Sequence, residues 1–172
     1  MVSRSTIRGA TVTVAALAVL FATAVPASAA SGKLCETFGS FCLNAQAISL
    51  YESIYEGSQS TARDFTAVSQ SGTFEGHPQF KIEFTNSRSW CVGAINNGTE
   101  VDVDVKPCAT DLSVVWAQNG TRWINKYWTQ HNAIQCSPGN SDVYLAGQGH
   151  SGYPYKISCL GHSGYLYQFS WR

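Results

Sequence analysis

The pentapeptide Gly-His-Ser-Gly-Tyr occurs twice near the carboxyl end of the chain, at 149–153 and 161–165. A serine between small residues, with a histidine beside it, is a candidate nucleophile with its base. The nucleophile elbow, however, has the pattern Gly-x-Ser-x-Gly between a strand and a helix. Here Tyr153 and Tyr165 occupy the last position, and no helical pattern follows either copy. Adjacency in sequence also does not orient a catalytic triad, so we do not expect these serines to be catalytic.

The same pentapeptide has the composition of a tight turn, because glycine tolerates positive φ and serine favours turns. From the last residue of each copy onward, aromatic or apolar residues recur at every second position: Tyr153, Tyr155, Ile157 and Cys159, then Tyr165, Tyr167, Phe169 and Trp171. This period predicts two strands, each with an aromatic face turned inward. We predict that the second turn joins them as an antiparallel hairpin.

Other residues that carry chemistry are scattered. The four histidines are His77, His131, His150 and His162, and we expect solvated turn histidines rather than metal ligands. The run Glu-Val-Asp-Val-Asp-Val at 100–105 puts three acids on one strand face. A calcium or acid–base role is the alternative to a solvated face. No carboxylate pair has a spacing that specifies glycoside hydrolysis. The sequence predicts no catalytic residue, metal or cofactor.

Residues 1–30 have the organisation of a secretory signal peptide. Arg4 and Arg8 precede an uncharged apolar stretch, and Ala27 and Ala29 give the small-x-small pattern of a cleavage site. A membrane anchor, the alternative, needs about 20 apolar residues and different flanks. The abundance of Ala, Thr and Val resembles signal peptides of Gram-positive actinobacteria. We expect cleavage after Ala29 or Ala30 and a secreted single domain, 31–172.

The exported part has a composition that excludes some partners. Loss of Arg4 and Arg8 leaves two more acidic than basic residues, since the whole chain has 11 of each. Neither nucleic acid nor a membrane surface is therefore an expected partner. The exported part holds all six cysteines: Cys35, Cys42, Cys91, Cys108, Cys136 and Cys159. They predict three disulfides with fifteen possible connectivities. Metal-binding thiolates are the alternative, but no pair has zinc-site spacing.

About a dozen short apolar runs, separated by turn residues, predict an all-β sandwich or barrel. They include 48–54 and 122–128. Three of the cysteines each open a similar unit, and each unit later contains an aromatic residue. The cysteines are Cys42, Cys91 and Cys136, and the aromatic residues are Phe65, Trp116 and Trp171. Three units of about 45 residues with four short strands each predict a β-trefoil, with repeats near 38–85, 86–128 and 129–172.

The stretch 80–116, FKIEFTNSRSWCVGAINNGTEVDVDVKPCATDLSVVW, resembles one repeat of ricin B-chain-type lectins. Such a repeat has a Cys-Leu strand, a second strand ending in cysteine, and then Gln-x-Trp. The resemblance covers about 38–172 and implies a carbohydrate-binding β-trefoil. It also implies the disulfides Cys91–Cys108 and, as the counterpart in the third repeat, Cys136–Cys159. Cys35–Cys42 is then the remaining pair.

The resemblance also implies positions for sugar contacts: an Asp after the opening cysteine, an aromatic residue on the next strand, and an Asn before Gln-x-Trp. In the first repeat Asn44 stands at the Asp position, Tyr51 at the aromatic position and Ala62 at the Asn position, which makes Asn44 and Tyr51 the candidates there. In the third, Tyr144 and Gln168 are the candidates. The second repeat has Gly93, Lys106 and Ser113 there, which predicts no site.

The expected function is therefore that of a secreted, non-enzymatic lectin-like domain, whose partner is a glycan or polysaccharide. One alternative is a protease inhibitor or protein-interaction β-trefoil, with loop 136–142 or 56–64 against a protein target. A small secreted enzyme on a β scaffold is the second alternative, although no catalytic constellation is evident.

Overall fold

The computed structural model describes residues 30–98, 100–132, 134, 136 and 142–172. The predicted signal peptide, up to residue 29, lies outside this part. The described strands are Ser31–Gly32 (β1), Leu34–Glu36 (β2), Phe41–Asn44 (β3), Tyr55–Ser58 (β4), Phe65–Phe74 (β5), His77–Phe84 (β6), Ser87–Asn96 (β7), Val101–Pro107 (β8), Val115–Asn119 (β9), Arg122–Asn125 (β10), Val143–Ala146 (β11), Lys156–Cys159 (β12) and Phe169–Trp171 (β13). A 3-10 turn, Leu112–Val114, and a helix, Lys126–Gln130 (α1), complete the described elements. The all-β prediction is confirmed.

One layer is a closed ring of backbone pairing. β1 pairs with β5, β5 with β6, β6 with β9, and β9 with β10, all antiparallel. β13 pairs with β2, and the Phe169 N–H donates to the Thr121 carbonyl just before β10 (2.8 Å). Because β1 and β2 follow each other in the chain, these contacts close the described strands into a barrel, and closure protects strand edges from pairing with other chains.

The second layer is a cap of three hairpins, β3–β4, β7–β8 and β11–β12. A cycle of three backbone hydrogen bonds joins them. The Ile54 N–H donates to the Val103 carbonyl (2.8 Å), Val103 to Tyr155 (3.0 Å), and Tyr155 back to Ile54 (2.9 Å). All three residues are fully buried. The hairpins are therefore arranged around a pseudo-three-fold axis, while the exact repeat boundaries stay a prediction.

A corresponding aromatic residue from each repeat packs into the barrel. Phe65, Trp116 and Phe169 lie at the same register position of β5, β9 and β13, and all three are buried. The sequence pattern instead placed Trp171 at this position. Trp171 lies two residues farther along, partly buried, with its ring edge-on to Trp123 at 6.2 Å. The prediction of Trp171 was therefore wrong: the residue at the equivalent position is Phe169, two residues earlier on the same face of the strand.

Two predicted strands have other structures. The segment 48–54 is turn, bend and irregular backbone, with one isolated bridge at Ser53. The segment 122–128 is a strand only as far as Asn125, whose side chain accepts a hydrogen bond from the Trp128 N–H (3.1 Å). This contact caps α1 and ends the strand.

Both copies of Gly-His-Ser-Gly-Tyr form turns, and Gly149 and Gly152 of the first copy have positive φ (74° and 82°). The predicted hairpin between their strands is wrong, because β12 pairs with β11 and β8, whereas β13 pairs with β2. The second copy connects a cap strand to a barrel strand, so its flanking strands lie in different layers.

The three disulfides join Cys35 to Cys42, Cys91 to Cys108, and Cys136 to Cys159. The predicted pairings are confirmed. In the described part of the chain, no helix has the length and apolar character needed to cross a membrane.

Two fully buried carboxyl groups lie where the first and third repeats meet. Glu56 accepts the backbone N–H groups of Gln148 and His150, and so holds the first Gly-His-Ser-Gly-Tyr turn. Glu36 packs against Gly39 and Gly147, where a Cβ would come within 1.9 Å and 2.1 Å of its oxygens. Burial, and then the charge of Glu56, raise the pKa of Glu36 to about 7. The Tyr155 hydroxyl opposes this in part, without regular hydrogen-bond geometry.

We expect Glu36→Gln to remove part of the pH dependence of stability. A carboxyl whose folded pKa is raised binds more protons when folded, so its contribution falls as pH rises from about 4.5 to about 7. Above that range the ionised group costs about 3 kcal/mol. Urea unfolding should therefore show the variant gaining stability over the wild type as pH rises from 5 to 9. Glu83→Gln, a partly exposed control, should show no such gain. A constant difference for Glu36→Gln would contradict the assignment.

Candidate functional site

A cleft of about 380 Å³ lies beside the second cap hairpin, and we call it the Tyr51 cleft. The loop between β3 and β4, the 3-10 turn and α1 surround it. The side chains that matter for its chemistry are Tyr51, Lys106, Asp111, Leu112, Tyr127 and Trp128. The resemblance predicted no site at the second repeat, but the structure forms a cleft there, in which Lys106 and Ser113 of the second repeat meet Tyr51 of the first.

The position of Tyr51 depends on a strained backbone conformation and on a contact with a buried lysine. Its φ is 63°, and its N–H donates to the Val105 carbonyl (3.1 Å), which fixes the loop against β8. The Tyr51 residue is 60% exposed, and the Lys106 Nζ lies 4.1 Å from its ring centroid. This geometry is a cation–π contact. The loop therefore holds one face of the ring on Lys106 and leaves much of the residue open to solvent.

Lys106 is only 3% exposed, and its ammonium has no hydrogen bond or ion pair with a described residue. Burial lowers the pKa of Lys106, and the charges of Asp111 and Asp104 oppose this shift. Burial also raises the pKa of Asp104 to about 6, although Lys106 acts in the opposite direction. The ammonium keeps donor capacity for a ligand in the cleft.

Asp111 supplies an acceptor on the same cleft. Its Oδ1 accepts both the N–H of Ser113 (2.8 Å) and the hydroxyl of Ser113 (2.5 Å), and this caps the 3-10 turn. Its Oδ2 has no hydrogen bond with a described residue. The carboxylate is therefore fixed through one oxygen and has lone pairs of the other available.

Tyr127 and Trp128 give the cleft further aromatic surface. Their rings meet edge to face, with centroids 4.8 Å apart, and His131 stacks on Tyr127 at 4.0 Å. The Trp128 indole N–H donates to the Ala94 carbonyl (3.3 Å). These contacts fix the rings before any ligand arrives. Aromatic surface with an ammonium and a carboxylate suits a ring ligand that has both C–H faces and hydroxyl groups.

Asn44 does not lie in the Tyr51 cleft. It lines a second cleft of about 470 Å³ with Tyr55, whose hydroxyl accepts a hydrogen bond from Asn44 Nδ2 (3.2 Å). Arg63 lines the same cleft, but its guanidinium donates to the Ala45 and Gln46 carbonyls. The β3–β4 register places Tyr55 opposite Asn44, while the following loop carries Tyr51 to the neighbouring repeat. The structure therefore separates the predicted pair.

The candidates of the third repeat are also apart. Tyr144 is 5% exposed, packs edge-on to Tyr167, and donates its hydroxyl to Asp142 (3.1 Å). Gln168 lines a different, smaller pocket, with Phe38 and Arg122 among its neighbours. No described pocket contains both Tyr144 and Gln168.

Two other clusters contain residue types that occur in metal or catalytic sites, but their side chains are not available to a ligand. Ligand atoms of Glu83, Cys91 and Cys108 lie within 4.8 Å of one another, yet both sulfurs are in the disulfide. Glu36 and Glu56 are fully buried, so neither carboxyl reaches a substrate in this conformation. Both clusters therefore serve the fold.

No protein-family model and no curated protein matches this sequence. Solved structures do match. The β-trefoil lectin of the Vibrio vulnificus hemolysin/cytolysin, solved with N-acetyl-D-lactosamine bound, aligns with a TM-score of 0.52. This chain has the β-trefoil fold. The alignment covers 84% of this chain and 94% of the lectin, at 12% identity. A mosquitocidal holotoxin aligns with a TM-score of 0.58 and 8% identity over 83% of this chain, which spans only 17% of the toxin.

Gly93→Ala tests how tightly the Lys106 side chain, which lies under the Tyr51 ring, is packed. A Cβ at Gly93 would lie 2.5 Å from Lys106 Cγ, near the root of that side chain, so Lys106 must move. We expect the free energy of unfolding to fall by about 1–3 kcal/mol, as for other overpacked sites. Urea denaturation measures this, and Ser89→Ala, at an exposed position of β7, is the control. Unchanged stability would show that the lysine yields without cost.

Proposed function

We propose that the chain is a secreted carbohydrate-binding domain that holds a sugar ring in the Tyr51 cleft. The observation that carries the proposal is the Tyr51 ring, fixed over Lys106 on one face and 60% exposed as a residue. An exposed aromatic ring leaves apolar surface in contact with water, and a ligand that stacks on the ring removes that surface from water.

Each polar group of the cleft has a role in this proposal. The C–H face of a pyranose stacks on an aromatic ring, Lys106 donates to a ring hydroxyl, and the free oxygen of Asp111 accepts from another. Lys106 is buried and Asp111 is held by Ser113, and polar groups in fixed positions orient a ligand through directional hydrogen bonds. Asn44, with Tyr55, is proposed as a second contact point in its own cleft, whereas Tyr144 and Gln168 have no part here.

The fold likeness supports this proposal at the level of scaffold. The Vibrio vulnificus domain is a β-trefoil with a bound disaccharide, but 12% identity carries no site from it to this chain. Three disulfides are typical of exported proteins, which supports secretion after removal of 1–30. We propose a non-enzymatic role because the site argued here binds without a reactive group.

One observation favours the alternative of a protein partner. Leu112 is 70% exposed on the rim of the Tyr51 cleft, and Leu50, next to Tyr51 in the chain, is 48% exposed. Exposed apolar side chains beside an exposed tyrosine also suit a protein–protein contact. Protease inhibition and capture assays would test that function.

Tyr51→Ala should weaken glycan binding at least about tenfold, because it removes the stacking surface. A glycan and polysaccharide array identifies the ligand, and calorimetry then measures the affinity. Tyr153→Ala is the matched control, since Tyr153 is 50% exposed and lines none of the described clefts. Its affinity should equal that of the wild type.

Other outcomes have definite meanings. Full binding by folded Tyr51→Ala would move the site, with the Asn44 cleft to be tested next. An array without any bound glycan, for protein shown to be folded and oxidised, would overturn the carbohydrate function and favour the protein partner.

A further inference from the structure

Arg122 stands out among three equivalent basic residues of the barrel. Lys33, Lys81 and Arg122 occupy the same register position in their three repeats. The Lys33 ammonium donates to the Ala62 carbonyl (2.8 Å), and the Lys81 ammonium donates to the Cys108 carbonyl (2.6 Å). The Arg122 guanidinium has neither a hydrogen bond nor an ion pair with a described residue. Among the described residues, therefore, Arg122 differs from the two lysines in having no hydrogen-bond or ion-pair partner.

Arg122 lines a pocket of about 170 Å³, which we call the Arg122 pocket. Aromatic and aliphatic side chains form most of it, among them Phe38, Leu160, Tyr165 and Tyr167, and none of its lining residues is acidic. Phe38 is 78% exposed, more than any other large hydrophobic residue described. The pocket therefore combines apolar ring surfaces with a cation that has no ion pair with a described residue, and its size suits one small ring.

Gln168 adds a second donor to the pocket. Its Oε1 accepts a hydrogen bond from the Thr121 hydroxyl (3.4 Å), and its amide nitrogen has no acceptor among the described residues. The Tyr167 hydroxyl is already used, since it donates to the Cys159 carbonyl (2.6 Å). Arg122 and Gln168 therefore both offer N–H donors to the pocket, and such donors are the complement of an anion.

We propose that the Arg122 pocket binds a carboxylate-bearing sugar ring of the uronic acid type. The guanidinium offers two parallel N–H donors in the plane that a carboxylate matches, and Gln168 donates alongside. The sugar ring packs on Phe38 and Tyr165. The Arg122 pocket and the Tyr51 cleft share none of their lining residues, so neither proposal depends on the other.

The test titrates the oxidised, secreted protein with three probes: methyl glucuronide, methyl glucoside and glucose 6-sulfate. Calorimetry or NMR shifts should show binding of the glucuronide at least about tenfold tighter than the glucoside, since charge-assisted hydrogen bonds are the stronger ones. The affinity should fall as salt rises. Equal affinities for glucuronide and glucoside would overturn the proposal. Tighter binding of the sulfate than of the glucuronide would overturn the carboxylate assignment.

Arg122→Gln should lose the preference for glucuronide. Arg122→Lys should show an intermediate affinity, because it keeps the charge but lacks the two parallel N–H donors of the guanidinium. Arg88→Gln is the control for charge, since Arg88 is exposed and lines none of the described pockets. Thermal melting checks that each variant folds. Undiminished glucuronide binding by Arg122→Gln would refute the assignment. Binding that Tyr51→Ala loses and Arg122→Gln keeps would place the glucuronide in the Tyr51 cleft instead.

Discussion

The cyclic hydrogen bonds among Ile54, Val103 and Tyr155 determine how the rest of the molecule is arranged. Each of these fully buried residues gives its N–H to one neighbouring repeat and accepts from the other. If one hairpin moved away, a buried donor and a buried acceptor would lose their partners, at a cost of about 1–3 kcal/mol each. No repeat is therefore an independent unit. The loop that precedes Ile54 is thereby fixed against the second hairpin, where it lines the Tyr51 cleft.

This arrangement explains why a cleft belongs to two repeats. Tyr51 lies three residues before Ile54, and its N–H bonds to Val105 of the next hairpin, so its ring lies over Lys106. The backbone around the axis is nearly symmetric, but its side chains are not. Two of the equivalent positions hold lysines that bond to backbone carbonyls, whereas the third holds Arg122, which has no such partner in the described part of the chain. A β-trefoil thus offers similar sites with different chemistry on a common frame.

The fold was predictable because its signals are local and repeated. Period-two apolar runs and regularly spaced cysteines survive in the sequence even where side chains at the sites differ. The cleft was not predictable, because its residues come together through tertiary contacts. Asn125 ends a run that otherwise alternates like a strand, and so turns Tyr127 and Trp128 into a helix. The sequence also pairs Asn44 with Tyr51, whereas the β3–β4 register pairs it with Tyr55. In the last repeat, two aromatic residues fit the same pattern, and only pairing selects Phe169.

The two copies of Gly-His-Ser-Gly-Tyr are identical in sequence but differ in their attachment. Glu56 holds the first copy through its carboxylate and its backbone, with Gly152 and Tyr153 bonded to the Glu56 main chain. The second copy bonds within its own repeat, through His162, Tyr165 and Tyr167. Because the carboxylate of Glu56 accepts backbone N–H groups at 148 and 150, other side chains at these two positions could keep both hydrogen bonds, whereas an apolar residue at 56 could not. Two identical peptides can therefore come under unequal selection. Changes in the first copy must preserve its hydrogen bonds to Glu56, whereas changes in the second copy must preserve only the turn of its own repeat.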